Sequence, residues 1–267
     1  MLVSMRDGLF ARSHVLLLAL ALSLAMSGCA TWRPVTVPLR TLVDAAPCAQ
    51  PPKTLLLLLP GSYSLPEEFV REGVVQAVRE RRLAVDIVLV DAHVGYYRER
   101  SIVDRLRADV IEPARARGIT HIWVAGISIG AVGAMLYADA HPGDVDGVVI
   151  IAPYLGQRLT AVEIAAAGGL AAWRAPATPV EADLDGALWR WLQRQTTPGA
   201  PGRKIPLVLG YGLDDRYAYN DEVLARAMAP SRVHTAPGGH DWSAWRPLWR
   251  EIVETLPIAR ADDCAPR

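Results

Sequence analysis

Gly126-Ile127-Ser128-Ile129-Gly130 has the form G-x-S-x-G. The run before it, His121-Ile122-Trp123-Val124-Ala125, is β-prone, and the run after it, Ala131 to Ala140, suits a helix. Strand, sharp turn and helix form the setting in which this pattern holds a serine in a strained conformation with its hydroxyl projecting. Glycines at 126 and 130 carry no Cβ, so strand and helix can approach each other closely. A glycine-rich turn with an idle serine would look the same over five residues. What separates the two readings is whether the serine's partners follow downstream.

A serine hydroxyl is a poor nucleophile at neutral pH. It needs a base within hydrogen-bond reach and an acid to orient that base. In this setting they follow in the order Ser, Asp or Glu, His. After the last predicted strand, Arg232 to Ala236, comes Pro237-Gly238-Gly239-His240-Asp241-Trp242, and His240 is the candidate base. The acid belongs after the preceding strand, Ile205 to Gly210, where Gly210-Tyr211-Gly212-Leu213-Asp214-Asp215-Arg216 offers two adjacent carboxylates. Asp215, three residues past Gly212 and beside Arg216, is the preferred candidate, with Asp214 the alternative. Stabilising an oxyanion takes two backbone N–H groups. One is Ile129, at a helix N-terminus where the dipole favours negative charge. The other belongs to the loop after a strand at Thr54 to Leu59, in Pro60-Gly61-Ser62-Tyr63, at Ser62 or its neighbour Tyr63.

Further strands are predicted at Leu83 to Val90 and Val145 to Ala152, and helices at 66–82, 99–117 and 221–229. From Trp242 onward the apolar positions Trp242, Trp245, Leu248, Trp249, Ile252, Val253 and Leu256 have helical periodicity, and the Trp stripe reads as packing. The alternation predicts an α/β domain over 53–260, with a mostly parallel central sheet and helices on both faces. Between 154 and 204, Ala, Leu and Trp dominate, including Trp173, Trp189 and Trp191, and a small helical insertion or lid is expected there. His93, Tyr96 and Tyr97 follow a strand end, on the edge where parallel sheets place their sites. They are candidates for lining a pocket, with a structural role as the alternative.

The chain has 28 basic and 28 acidic residues, so it lacks the basic surplus of a nucleic-acid binder. No Cys/His spacing suggests zinc, and no cofactor motif stands out. At the start, Arg6 and Arg12 precede an apolar run, Val15 to Met26, too short for a comfortable membrane span. Residues 1–28 therefore read as a signal peptide. Residues 29–52 read as a proline-rich tether with room for one edge strand in Val35 to Val43, and 261–267 as a tail. Met26-Ser27-Gly28-Cys29 resembles the lipobox of bacterial lipoproteins. That resemblance implies cleavage before Cys29, lipidation of Cys29, and anchorage in the cell envelope facing the periplasm. Ala30 after the cysteine implies the outer membrane. An ordinary cleaved signal or an uncleaved anchor is the alternative. Export to an oxidising compartment permits a disulfide between the remaining cysteines, Cys48 and Cys264, with two free thiols as the other possibility.

Leu59-Pro60-Gly61-Ser62, the turn Gly126 to Gly130, the acid turn Gly212 to Arg216 and Gly238-Gly239-His240 together resemble the α/β-hydrolase family, from about Thr54 to Leu256. The ending Gly239-His240-Asp241-Trp242 with Trp245 also resembles bacterial esterases of the ferric-siderophore esterase type. The family implies a Ser-His-Asp triad, no metal, and cleavage of a small-molecule ester or thioester through an acyl-enzyme. An acyltransferase with the same triad and a non-catalytic lipoprotein scaffold are the alternatives. Two features depart from the family pattern. Pro60 stands before Gly61 where a His-Gly pair is common, and the family's first antiparallel strands are hard to find.

Overall fold

Leu55 to Leu59 are all 1% exposed or less. Burial of five consecutive side chains requires a strand covered on both faces, and each leucine so buried contributes roughly 2 kcal/mol. This strand sits near the middle of the sheet in the computed structural model, which describes residues 33–175 and 182–264. The chain divides into two units, Met1–Val35 and Thr36–Arg267, and the second carries everything below. The predicted signal segment and Cys29 lie outside the described residues.

In chain order the elements are β1 (Thr41–Asp44), β2 (Thr54–Leu59), α1 (Pro66–Arg71), α2 (Val74–Glu80), β3 (Val85–Val90), α3 (Val94–Arg98), α4 (Ile102–Leu106) and α5 (Glu112–Ala116). Then come β4 (His121–Ile127), α6 (Ile129–Ala140), β5 (Gly147–Ile151), α7 (Arg158–Ala166), α8 (Leu184–Thr196), β6 (Leu207–Gly212), α9 (Ala218–Ala225), β7 (Val233–Ala236) and α10 (Trp242–Thr255). The seven strands form one sheet in the order β1-β3-β2-β4-β5-β6-β7. Every neighbouring pair is parallel except β1 with β3, which run antiparallel from Thr41↔Val90 to Asp44↔Ile87. The expected edge strand within 35–43 therefore starts later, beyond Pro34 and Pro38, which have no N–H to give to a ladder.

Two expected helices are interrupted. The one over 66–82 breaks between α1 and α2 at Gly73, whose φ is 76°. The one over 99–117 continues through a π-helical turn, Arg107–Ile111, between α4 and α5. Pro113 follows that turn; it lacks a donor and its ring crowds the carbonyl four residues back, so a wider turn is the relief available.

Side chains alternate between the sheet's faces. Leu56 and Leu58 join Trp123, Ala125 and Ile127 in the core that α2 and α10 cover. Leu59 points the other way, against Gly133 of α6. The tryptophans of α10 pack as the periodicity implied: Trp249 Nε1 donates to the Val74 carbonyl at 2.9 Å. Those of the 154–204 segment are also core. Trp189 is fully buried and its Nε1 donates to the Leu155 carbonyl at 2.9 Å. At the periphery Cys48 and Cys264, 216 residues apart, are joined by a disulfide.

Candidate active site

Ser128 links β4 to α6 with φ 55° and ψ −115°. A positive φ is costly for a residue with a Cβ and persists only where its surroundings impose it. Here they do. The Ser128 N–H donates to the Ile151 carbonyl at 3.0 Å, and the Ser128 carbonyl accepts from Ala131 at 3.1 Å and Tyr154 at 3.3 Å. The two glycines of the motif are sterically obligatory. A Cβ on Gly126 would lie 2.2 Å from the Gly130 carbonyl group, and one on Gly130 would lie 2.2 Å from the Leu59 oxygen.

The loops after β6 and β7 converge on this turn. His240 Nε2 lies 3.0 Å from Ser128 Oγ, and His240 Nδ1 lies 2.7 Å from Asp215 Oδ2. An ionised carboxylate can only accept, so Nδ1 carries the proton and Nε2 is left to accept from the hydroxyl. Asp215 is itself fixed, because its Oδ1 accepts the Tyr217 N–H at 2.8 Å. Asp214 does a different job. Its backbone N–H donates to the Gly238 carbonyl at 3.0 Å and its Oδ2 accepts from the Gly238 N–H at 3.2 Å, which laces the acid turn to the histidine loop. Adjacent residues on a turn point apart, so one carboxylate reaches the imidazole and the other holds the two loops together. Asp241 caps α10, its Oδ1 accepting the Ser243 N–H at 2.7 Å. Hydrogen bonding to Ser243 holds its carboxyl below the usual range.

The imidazole stands between two aromatic rings. Tyr217 meets it edge-on at 5.0 Å and Trp245 at 5.3 Å. Neither was singled out as a site residue from the sequence. Tyr217 was hidden two positions past the acid, and Trp245 was read as packing, which it also does. Asp221, one helical turn further along α9, was missed too. It is fully buried, and among the described residues neither carboxyl oxygen has a hydrogen-bond partner. Burial pushes its pKa well above the ordinary 3.8, and the charges of Asp215 and Glu222 push it further.

Ile129 is the first residue of α6, so its N–H lies at the helix N-terminus beside Ser128. The Pro60–Tyr63 loop borders the same spot: a Cβ on Gly61 would come within 3.7 Å of the Ser128 Cβ. Ser62 in that loop is half-buried, and the side chain of Tyr63 is 86% exposed.

His93, Tyr96 and Tyr97 make structural contacts. His93 caps α3, its Nδ1 accepting the Gly95 N–H at 3.2 Å. The Tyr96 hydroxyl donates to the Thr36 carbonyl at 3.1 Å. Tyr97 packs its buried hydroxyl over Gly133 of α6. Strand β3 lies on the far side of β2 from β4. Among the described residues no cluster of His, Cys, Asp or Glu could hold a metal ion.

No protein-family model matches the sequence, and no curated protein does either. Solved structures do match. They include a ferulic acid esterase (14% identity over 82% of this chain and 97% of that one, TM-score 0.56). Est1E from Butyrivibrio proteoclasticus gives 19%, 81%, 91% and 0.53. The apoenzyme of S-formylglutathione hydrolase from Staphylococcus aureus gives 15%, 84%, 98% and 0.52. The chain has the α/β-hydrolase fold. At these identities the likeness is one of fold. Within an α/β-hydrolase fold, Ser128 occupies the turn after a central strand, and His240 and Asp215 occupy loops at the same edge of the sheet.

Proposed function

We propose that this chain is a serine hydrolase that cleaves a carboxylic ester or thioester through an acyl-enzyme on Ser128. The observation that carries the reading is the unbroken relay from Asp215 through His240 to Ser128, at 2.7 and 3.0 Å. In this mechanism Ser128 Oγ attacks the carbonyl carbon while its proton passes to His240 Nε2. Asp215 accepts from Nδ1, holding the productive tautomer and stabilising the imidazolium. The carbonyl oxygen, now negative, is met by the Ile129 N–H and a second donor from Ser62 or Tyr63, each worth roughly 3 kcal/mol in the transition state. The tetrahedral adduct collapses, and the departing alkoxide or thiolate takes the proton from Nε2. Water then enters, gives a proton to Nε2, and releases the acid by the same steps in reverse. The similar structures named above include esterases, which agrees with this chemistry. The test is labelling of the purified mature domain with a fluorophosphonate, read by intact mass: one adduct in the parent and none in Ser128→Ala. No adduct on a folded parent would dismiss the proposal.

We also propose that the chain is a lipoprotein, anchored through Cys29 to the bacterial envelope and facing the periplasm. The Met26-Ser27-Gly28-Cys29 sequence supports it. Cys29→Ser should move the protein from the membrane fraction to the soluble fraction, and persistent membrane association would count against it.

A further inference from the structure

The relay leaves unused a cleft of about 290 Å³ beside it, lined among others by Tyr154, Gln157, Arg158, Arg216, Tyr217 and Asn220. One wall is the segment after β5, and the other is the segment after Asp215. Asn220, 3% exposed, joins them by donating from Nδ2 to the Gly156 carbonyl at 3.0 Å. The cleft adjoins the reacting atoms. Tyr154 donates its N–H to the Ser128 carbonyl, and two successive 5.0 Å steps lead from the imidazole to the Tyr217 ring and on to the Arg216 guanidinium carbon.

The chemistry of the walls is specific. The Arg158 guanidinium lies over the Tyr219 ring at 4.2 Å, as Arg216 does over Tyr217. Stacking on an aromatic face fixes the plane of a guanidinium and leaves its N–H edge free to donate. Among the described residues neither arginine has a carboxylate partner. The carboxylate of Asp185, which also faces Tyr154, accepts the Gln157 N–H at 2.9 Å and pairs with neither. On the other side of the turn, the apolar space under Gly126 and Ile127, walled by Trp242 and Trp245, holds only about 10 Å³. That is roughly one water and no acyl chain. Of these two described spaces, the one on the arginine side has the room for a substrate.

We infer that this cleft binds an anionic end of the substrate: the ester carries a carboxylate or phosphate group that Arg158 and Arg216 receive while its carbonyl sits at Ser128. This rests on the ester-cleaving reading above. A planar anion can take parallel N–H bonds from a guanidinium, a geometry that a neutral acyl chain cannot use.

The experiment compares kcat/KM for matched esters in the parent, Arg158→Gln, Arg216→Gln, the double variant, and, as control, Arg250→Gln at an exposed position of α10. One pair places the charge on the acyl side, 4-nitrophenyl hemiglutarate against 4-nitrophenyl butyrate. A second places it on the alcohol side, 4-(butyryloxy)benzoate against its methyl ester. A third replaces that carboxylate with phosphate. The expected result is at least a tenfold preference for the charged member of one pair, reduced at least tenfold in the double variant and mainly through KM. Arg250→Gln should keep the preference, and the responding pair identifies the anion and its side. Hydrolysis of neutral esters and labelling of Ser128 with no charge preference, or with one the double variant retains, would overturn the inference and leave the esterase reading standing. Absence of both hydrolysis and labelling would overturn the two together.

Discussion

Asp221→Asn tests whether a carboxyl group is kept neutral beside the relay. Asp221 is 0% exposed, with no hydrogen-bond partner for either oxygen among the described residues. An ion there would be removed from bulk solvent, and Asp215 and Glu222 add like charge. In the unfolded chain the group loses its proton near the ordinary 3.8, whereas in the folded chain it keeps it to a higher pH. Between those two values the native state binds more protons than the unfolded state, so stability falls as pH rises, by up to about 1.4 kcal/mol per unit. The contribution is complete below 3.8 and the loss ends at the native pKa. Asparagine has no proton to lose. The variant should gain on the parent as pH rises above 3.8, by no more than about 1.4 kcal/mol per pH unit. Urea unfolding followed by tryptophan fluorescence at several pH values reads the difference, in which carboxylates common to both proteins cancel. Asp214→Asn, at an exposed position, serves as the control. A difference that stays flat or narrows with rising pH would refute the buried neutral carboxyl.

The two carboxylates of the acid turn should separate by function. Asp215→Asn should lower kcat by about four orders of magnitude by stabilising the wrong imidazole tautomer, whereas Asp214→Asn should keep ester hydrolysis within about tenfold while lowering Tm. Gly130→Ala would force a Cβ to within 2.2 Å of the Leu59 oxygen, which is backbone and cannot swing aside. It should cost at least about 3 kcal/mol or prevent folding, while Gly143→Ala, which meets nothing within 4 Å, should be near neutral by the same melting assay. Replacing both Cys48 and Cys264 with Ser opens a loop closed across 216 residues and should lower unfolding stability in urea by up to about 5 kcal/mol.

What was legible in the sequence followed local patterns. G-x-S-x-G between a β-prone run and a helix places Ser128, because Gly126 is required by a contact within that strand-turn-helix unit; Gly130 is required by the end of β2. The continuous leucines of β2 and the tryptophan periodicity of α10 declare buried faces without reference to the rest of the fold. Choosing between Asp214 and Asp215 needed the positions of two loops relative to each other, which the acid turn alone does not encode. The contacts of Tyr96 with Thr36 and of Tyr97 with Gly133 join segments distant in sequence, which the strand end alone does not encode. Asp221 was invisible for a similar reason. The helix predicted at 221–229 runs instead over Ala218–Ala225, and a shift of three residues decides which side chains turn inward.

The 154–204 segment bears on specificity in a way its composition did not suggest. A lid that swings aside would have to withdraw Trp189, fully buried, and break its bond to the Leu155 carbonyl. Exposing an indole of that size costs roughly 3 kcal/mol, and a buried hydrogen bond adds about 1. Leu155 stands next to Tyr154, whose N–H holds the Ser128 carbonyl, and three residues before Arg158 in the cleft wall. The same indole therefore pins the backbone that supports the serine turn and the backbone that presents the arginine. Asn220 fastens the opposite wall to it through Gly156. On the cleft reading proposed above, recognition belongs to walls fixed by the core that also positions the relay. Changes in substrate preference should follow side-chain exchanges at Arg158, Arg216 and the tyrosines beneath them more closely than changes in the mobility of the insertion.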